Sequence, residues 1–437
     1  MADSLDGFAT VCFQVTGPRA LADWQPGPLP IALPDGRITN ADLRSTYFQP
    51  LAAAALYGSP EQPCRWHRWI PALPGPGGRA KVHGVELLDV PQWVPSDDAQ
   101  TSFLAMVHLE LAPDQPIAAL AAAVGAAPGQ NGSDSWRKFI DVVLGSGFSV
   151  LPSWRRGMST CFLSADGELP DLDDAPPEWT PQTAWLWLGA SATPFHVFSP
   201  DLADPHLLDH TVFLSKTWRG LVLRDGVAFV GVSHSDTDRE FLAHGAVYAR
   251  TIYSDIMLLS ILQRLGLEAF AGQLSRIGSR FEKSQELRSL VNALTEYRNV
   301  LWWDDVARHG LANNLLRNMQ AAWHTPELFE RVSTDLEAFR QQVETQAAEM
   351  LTRSQEAEER RALRFNNFVA IASIAFALPL LVFTILLLPI SGLTAEEHTY
   401  AWWQVLVVAI GTAALGALMG FLAQFTSRRT RHDDSVP

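Results

Sequence analysis

Residues 368–390, FVAIASIAFALPLLVFTILLLPI, decide how the rest of the chain is read. They hold no charged residue, and only Ser373 and Thr384 interrupt the apolar run. At ~1.5 Å per residue such a helix is ~35 Å long, and about 20 residues are enough to cross a hydrocarbon core. A second run, 401–425, is broken only by Gln404, Thr412 and Gln424. Two such runs around one short loop predict a two-helix transmembrane hairpin over 365–437. Arginines sit at its two ends: Arg353, Arg360, Arg361 and Arg364 before it, Arg428, Arg429 and Arg431 after it. The loop between the runs has neither Lys nor Arg. The positive-inside rule then predicts a multi-pass protein of the plasma (inner) membrane, with both termini cytoplasmic, the loop outside and a lipid bilayer as partner. Tyr400, Trp402 and Trp403 would form the outer aromatic belt.

Within the first run, Asn366, Ala370, Ser373, Ala377, Leu380 and Thr384 recur at steps of four and three and share one helical face. This stripe is small and weakly polar. It can line a pore, or it can pack closely on Thr412, Gly416 and Gly420 of the second run. The pore-lining candidates are Asn366, Asn367, Ser373, Ala377 and Thr384. In the loop, Ser391, Glu396 and Glu397 are the candidates for an external mouth.

Upstream, Thr325-Pro326-Glu327 reads as a helix start, with Thr as cap, Pro at the first position and Glu at the positive end of the dipole. No Gly follows before the apolar run, so 325–364 would extend ~60 Å as one helix. Leu328, Val332, Leu336, Phe339, Val343, Ala347 and Met350 form a heptad-like seam. That seam fits a helix packed on its own domain or a coiled-coil stalk packed on copies of itself. Residues 240–303 read as further helices, separated near Gly266. Together, 236–364 form a helical layer and stalk.

Residues 1–235 have another pattern. Runs at 9–15, 103–111, 184–188 and 211–214 suit strands, and 221–232 suits a hairpin turning at Asp225-Gly226. Stretches 117–127 and 135–144 suit helices. Segments 71–78 and 168–179 are rich in Pro, Gly or acid and suit loops. The expected fold is an α+β or α/β cytoplasmic domain with a mixed sheet.

The 437 residues carry 47 acidic and 33 basic side chains, a net charge of −14, and nearly all of the excess lies before Phe365. Such a surface repels phosphate backbones and argues against a nucleic-acid partner. The three cysteines, Cys12, Cys64 and Cys161, form no CxxC pair and suit a reducing compartment. The first residues lack the basic and apolar regions of a signal peptide. Asp236, Asp238 and Glu240 alternate at a helix start. They could offer hard oxygens to Mg²⁺ or Ca²⁺, or simply cap the helix. His206 and His210 lie four apart, but Leu207 stands where a zincin needs Glu. No phosphate-binding glycine loop, GxSxG elbow or CxxC motif is present, so the expectation is that the chain is not an enzyme, and no covalent cofactor is expected.

The order of these parts resembles the CorA-like family of divalent-cation channels and transporters, most clearly over 240–431. The resemblance implies a homopentamer with the first apolar helix innermost, and a divalent cation such as Mg²⁺ as substrate or regulatory ligand. In that family the first span ends in Gly-Met-Asn. Here Leu388-Pro389-Ile390-Ser391-Gly392-Leu393 stands in its place. Two functions follow as expectations: a homo-oligomeric cation channel or transporter, or a membrane-anchored sensor or interaction protein that keeps the scaffold without selective transport.

Overall fold

The computed structural model describes residues 5–59, 61–93, 101–125, 130–154, 156–277, 284–303, 305–308 and 310–387, and in the last segment 406, 407, 410, 411, 414, 417 and 418. The chain divides into two compact units, 1–340 and 341–437. The sequence instead suggests boundaries at 235 and 364.

Unit 1 is organised by a ten-stranded sheet. Its strands are β1 (Asp6–Gly17), β2 (Gln25–Pro26), β3 (Arg65–Pro74), β4 (Ala80–Asp89), β5 (Thr101–Leu111), β6 (Ser149–Val150), β7 (Met158–Asp166), β8 (Thr211–Phe213), β9 (Trp218–Leu223) and β10 (Gly226–Ser233). The spatial order is β2-β3-β4-β5-β1-β7-β10-β9-β8, with β6 paired to β1. Among the described residues only the β7–β10 pairing is parallel, so the sheet is mixed, as the sequence predicts. β1 lies near the middle and buries side chains on both faces. Ala9, Val11, Phe13 and Val15 join one apolar core, while Thr10 and Cys12 point to the other side.

Helices cover both faces. In chain order they are α1 (Ala41–Ser45), α2 (Pro50–Tyr57), α3 (Pro116–Ala123), α4 (Gln130–Leu144), α5 (Pro181–Ser191), α6 (Asp236–Tyr248), α7 (Ser254–Ile277), α8 (Ser284–Val300), α9 (Gly310–Ala322) and α10 (Thr325–Leu387). The first face buries Val11, Phe13, Trp136, Trp185 and Leu188, with α3, α4 and α5. On the second face Tyr253 packs on Trp218 and Phe229, and Met257 meets Thr160. A π-helical turn, Ala249–Tyr253, joins α6 to α7.

Three local readings need correction. Residues 184–188 are not a strand but part of α5. Every letter of AWLWL is apolar and buried, so no period separates a strand from a helix. The deciding signal lies upstream, where the Thr180 side chain caps Thr183 N and Pro181 opens the helix. The β9–β10 hairpin is present, but Arg224 and Asp225 turn it and Gly226 already pairs with Leu223. Gly226 is small because a Cβ there would lie 2.6 Å from the Ser159 carbonyl oxygen of β7. α7 runs unbroken through Gly266, whose missing side chain leaves room for the Tyr297 ring of α8.

α10 is a single helix of 63 residues, as the absence of Gly predicts. Thr325 does not cap it. Its hydroxyl is buried without a partner, and the first turn closes from Leu328 N to the carbonyl of His324, which has φ 51°. Val332 and Leu336 are buried and Phe329 stacks on Trp302 at 4.3 Å, whereas Met350 is exposed.

The larger correction concerns the membrane. Among the described residues no helix is long and apolar enough to cross one. The described part of α10 ends at Leu387, and the 401–425 run is described only at scattered positions. A two-helix transmembrane hairpin is therefore not seen, and the multi-pass topology with an external loop falls with it. The physical reason is that an apolar run can be covered by hydrocarbon or by protein. Hydropathy does not choose between them.

Candidate functional site

The sequence-predicted residues fall into two groups, one in each unit. Asn366, Asn367, Ser373 and Ala377 lie on α10 and are exposed. Ser373 donates its hydroxyl to the Val369 carbonyl at 2.7 Å, a bond within its own helix that leaves the oxygen free to accept a further one. Around this stripe Phe365, Phe368, Ile374, Phe376, Leu380 and Leu381 are also exposed, Phe376 to 77%. The backbone of Thr384 continues the helix. Ser391, Glu396 and Glu397 lie outside the described residues.

Asp236, Asp238 and Glu240 open α6. The Ser235 side chain accepts from Asp238 N at 3.1 Å, and Asp238 Oδ2 accepts from the Ser235 hydroxyl at 2.9 Å and from His234 N at 3.2 Å. This is a reciprocal cap. The hydrogen bonds from Ser235 and His234 hold the Asp238 carboxyl below its usual range. Asp236 takes a 2.6 Å hydrogen bond from Arg239, and Glu240 is exposed. Among the described residues no three of His, Cys, Asp and Glu are grouped to hold a metal ion. His206 pairs with Asp209 on the surface, 2.6 Å away.

A charged chain that sequence reasoning missed runs beneath the sheet. Thr10 on β1 meets His108 Nδ1 on β5 at 3.1 Å, and His108 Nε2 meets Glu86 Oε1 on β4 at 2.7 Å. Arg65 of β3 gives Nε to Glu86 Oε2 at 2.5 Å and places Nη1 2.7 Å from Asp255 Oδ1, off the hydrogen-bond axis. Asp255 Oδ2 also accepts from Tyr57 at 2.8 Å and from Arg44 at 3.4 Å. Arg44 spends its remaining donors on the carbonyls of Thr39 and Leu29. All six side chains from Arg44 to Asp255 are buried, with two guanidinium groups facing two carboxylates.

The balance sets the protonation states. Burial pushes Glu86 up, but Arg65 and the His108 bond outweigh it and hold the carboxyl well below its normal range. Burial lowers His108, which the Glu86 bond only partly offsets, so the ring is neutral. The cluster ties α1, α2 and α7 to four strands. The only hint in the sequence is a charge on the buried face of an apolar strand, as in VELL (85–88) and MVHLEL (106–111).

A pH dependence follows. His108 is depressed below 6.5 in the fold, so the unfolded chain takes up its proton first as pH falls through 6.5. Stability is full above that pH and drops below it, by up to about 1.4 kcal/mol per pH unit for one proton. Glu86 adds a second loss below its unfolded value of 4.5. Urea midpoints across this range should fall more steeply just below pH 6.5 in the wild type than in His108→Gln. Equal slopes would contradict the assignment.

No protein-family model matches the chain, and no curated protein does. Two solved structures have a weak CorA-like likeness to it. The full-length CmaX protein is 15% identical, with a TM-score of 0.20 over 65% of this chain and 90% of that one. The complete CorA magnesium transporter from Methanocaldococcus jannaschii is 9% identical, with a TM-score of 0.22 over 63% of this chain and 94% of that one.

Proposed function

We propose that this chain works as a homo-oligomer assembled around the second half of α10, and that its activity is passage of a divalent cation such as Mg²⁺ along the shared axis. The observation that carries this reading is the surface of α10 between Leu363 and Leu381. Large apolar side chains are exposed there on most sides of one helix, and a contiguous apolar patch of this kind marks an interaction site. Copies of α10 packed together would cover those side chains. The stripe of Asn366, Ser373 and Ala377 is the small and polar face, the one that a bundle can turn toward water.

A hydrated Mg²⁺ sheds its water reluctantly, so an array of hydroxyl, amide and carbonyl oxygens around an axis suits it better than a closed carboxylate cage. The acidic surface of the chain favours cations nearby. The order of the parts, an α+β domain, a helical layer and one long helix, agrees with the CorA-like layout.

Reconstituted full-length protein should pass Mg²⁺ into vesicles loaded with a Mg²⁺-sensitive dye. Ser373→Leu, which replaces an oxygen ring by an apolar constriction, should cut the rate at least about tenfold, the factor that ~1.4 kcal/mol of barrier produces. Absence of flux for any divalent or monovalent cation would remove the transport reading and leave an interaction protein on the same scaffold. The replacement of Gly-Met-Asn by Ser391-Gly392-Leu393 is the observation that favours that second reading.

A further inference from the structure

A cavity of about 300 Å³ lies between one end of the sheet and α6. Its walls include Phe8 of β1, Ser164 and Asp166 of β7, Ser233 of β10, and Arg239 and Arg250. Asp166 is already engaged: it accepts from the Ser233 hydroxyl and takes both oxygens to Arg239 Nε at 3.2 Å. Asp6, which also borders the cavity, is exposed and keeps its water.

Arg250 is different. It belongs to the π-helical turn, where the extra residue swells the helix, a feature often found at functional sites. Its guanidinium lies over the Phe8 ring, 4.7 Å from the centroid. Its Nε is buried with no hydrogen-bond partner, and no carboxylate among the described residues lies within ion-pairing distance. The fully buried arginines, Arg44 and Arg65, both face Asp255. Burial pushes Arg250 down to about 10, which still leaves it charged at neutral pH. A buried cation with an idle donor is costly unless an anion meets it.

We propose that this cavity is a binding site for a small organic monocarboxylate, with its carboxylate on the Arg250 guanidinium. A planar carboxylate matches the guanidinium fork. Leu242, Ala246 and Val247 give the body of the ligand an apolar wall. The nearby Asp6 and Asp166 disfavour a doubly charged phosphate. Ser164 supplies a hydroxyl for a further hydrogen bond. The site does not depend on assembly about α10.

Thermal melting and calorimetry of the full chain with propionate, hexanoate, leucine or inorganic phosphate test the site. A carboxylate from this set should raise the melting temperature saturably. Arg250→Met should weaken that binding about ten- to hundredfold, the loss expected for a charged hydrogen bond, while melting no lower than the wild type, since it removes an unpaired buried charge. If Arg250→Met does not fold, Ala243→Phe, an exposed position at the cavity wall, should block binding by filling the space. No saturable response to any carboxylate, or an equal response in the variants, would overturn the proposal. A response to phosphate alone would overturn the ligand class.

Discussion

Asp255→Ala should cost about 3–5 kcal/mol of stability, the usual loss when one partner of a buried ion pair is removed. The net stability of a domain is about 5–15 kcal/mol, so this one change should bring the sheet unit close to unfolding. Asp255 is the point where three buried partners meet: Arg65 as an ion pair at 2.7 Å, and Tyr57 at 2.8 Å and Arg44 at 3.4 Å as donors. Without it Arg44 keeps two carbonyls but no ion-pair partner, and Arg65 keeps Glu86 and the Met106 sulfur. The double change Asp255→Leu with Arg44→Met should cost less than the sum of the two single changes, because it removes opposite charges together. Urea unfolding of the wild type and the four variants checks this. A loss below about 1 kcal/mol for Asp255→Ala would mean that water or a rearranged neighbour compensates the arginines.

Much of the sheet unit is legible in the chain because its signals are local. The apolar letters of β1 and β5 mark central strands, and Leu221 to Val232 carries its own turn. α10 is legible for the opposite reason: it holds no Gly, and no Pro after its first turn until Pro379. AWLWL failed because complete burial erases periodicity, and the helix could be found only from the Thr180-Pro181 start.

The charged cluster was illegible for a deeper reason. Thr10, Arg44, Tyr57, Arg65, Glu86, His108 and Asp255 have no common spacing, and only sheet order and the packing of α1, α2 and α7 on the sheet bring them together. β3, β4, β5 and β1 are neighbours in space, so side chains on one face line up across four strands. Arg250 was missed in the same way. Its partner ring, Phe8, lies at the other end of the sheet unit's sequence. The metal candidates at 236–240 show the reverse case. A pattern that resembles ligand spacing turns out to hold a helix cap and an Arg239 pair.

The second large effect concerns assembly, and it is also where the sequence misled most. The apolar length of 368–390 suggested a transmembrane hairpin. The structure describes one helix to Leu387 with apolar side chains exposed and a polar stripe among them. If copies of α10 surround an axis, Ser373 of one copy faces Ser373 of the next, whereas the exposed Phe368, five residues back, lies ~140° around the helix. The native thiols give little background. Cys12 and Cys161 are buried, and burial pushes the part-buried Cys64 up to about 12.

The direct measurement is cross-linking of the full-length Ser373→Cys chain with a short bis-maleimide. A ladder of covalent oligomers, formed at 373 and weak or absent in Phe368→Cys, is the predicted result. A monomer band at 373 under conditions where the thiol is fully labelled would contradict assembly around this face of α10.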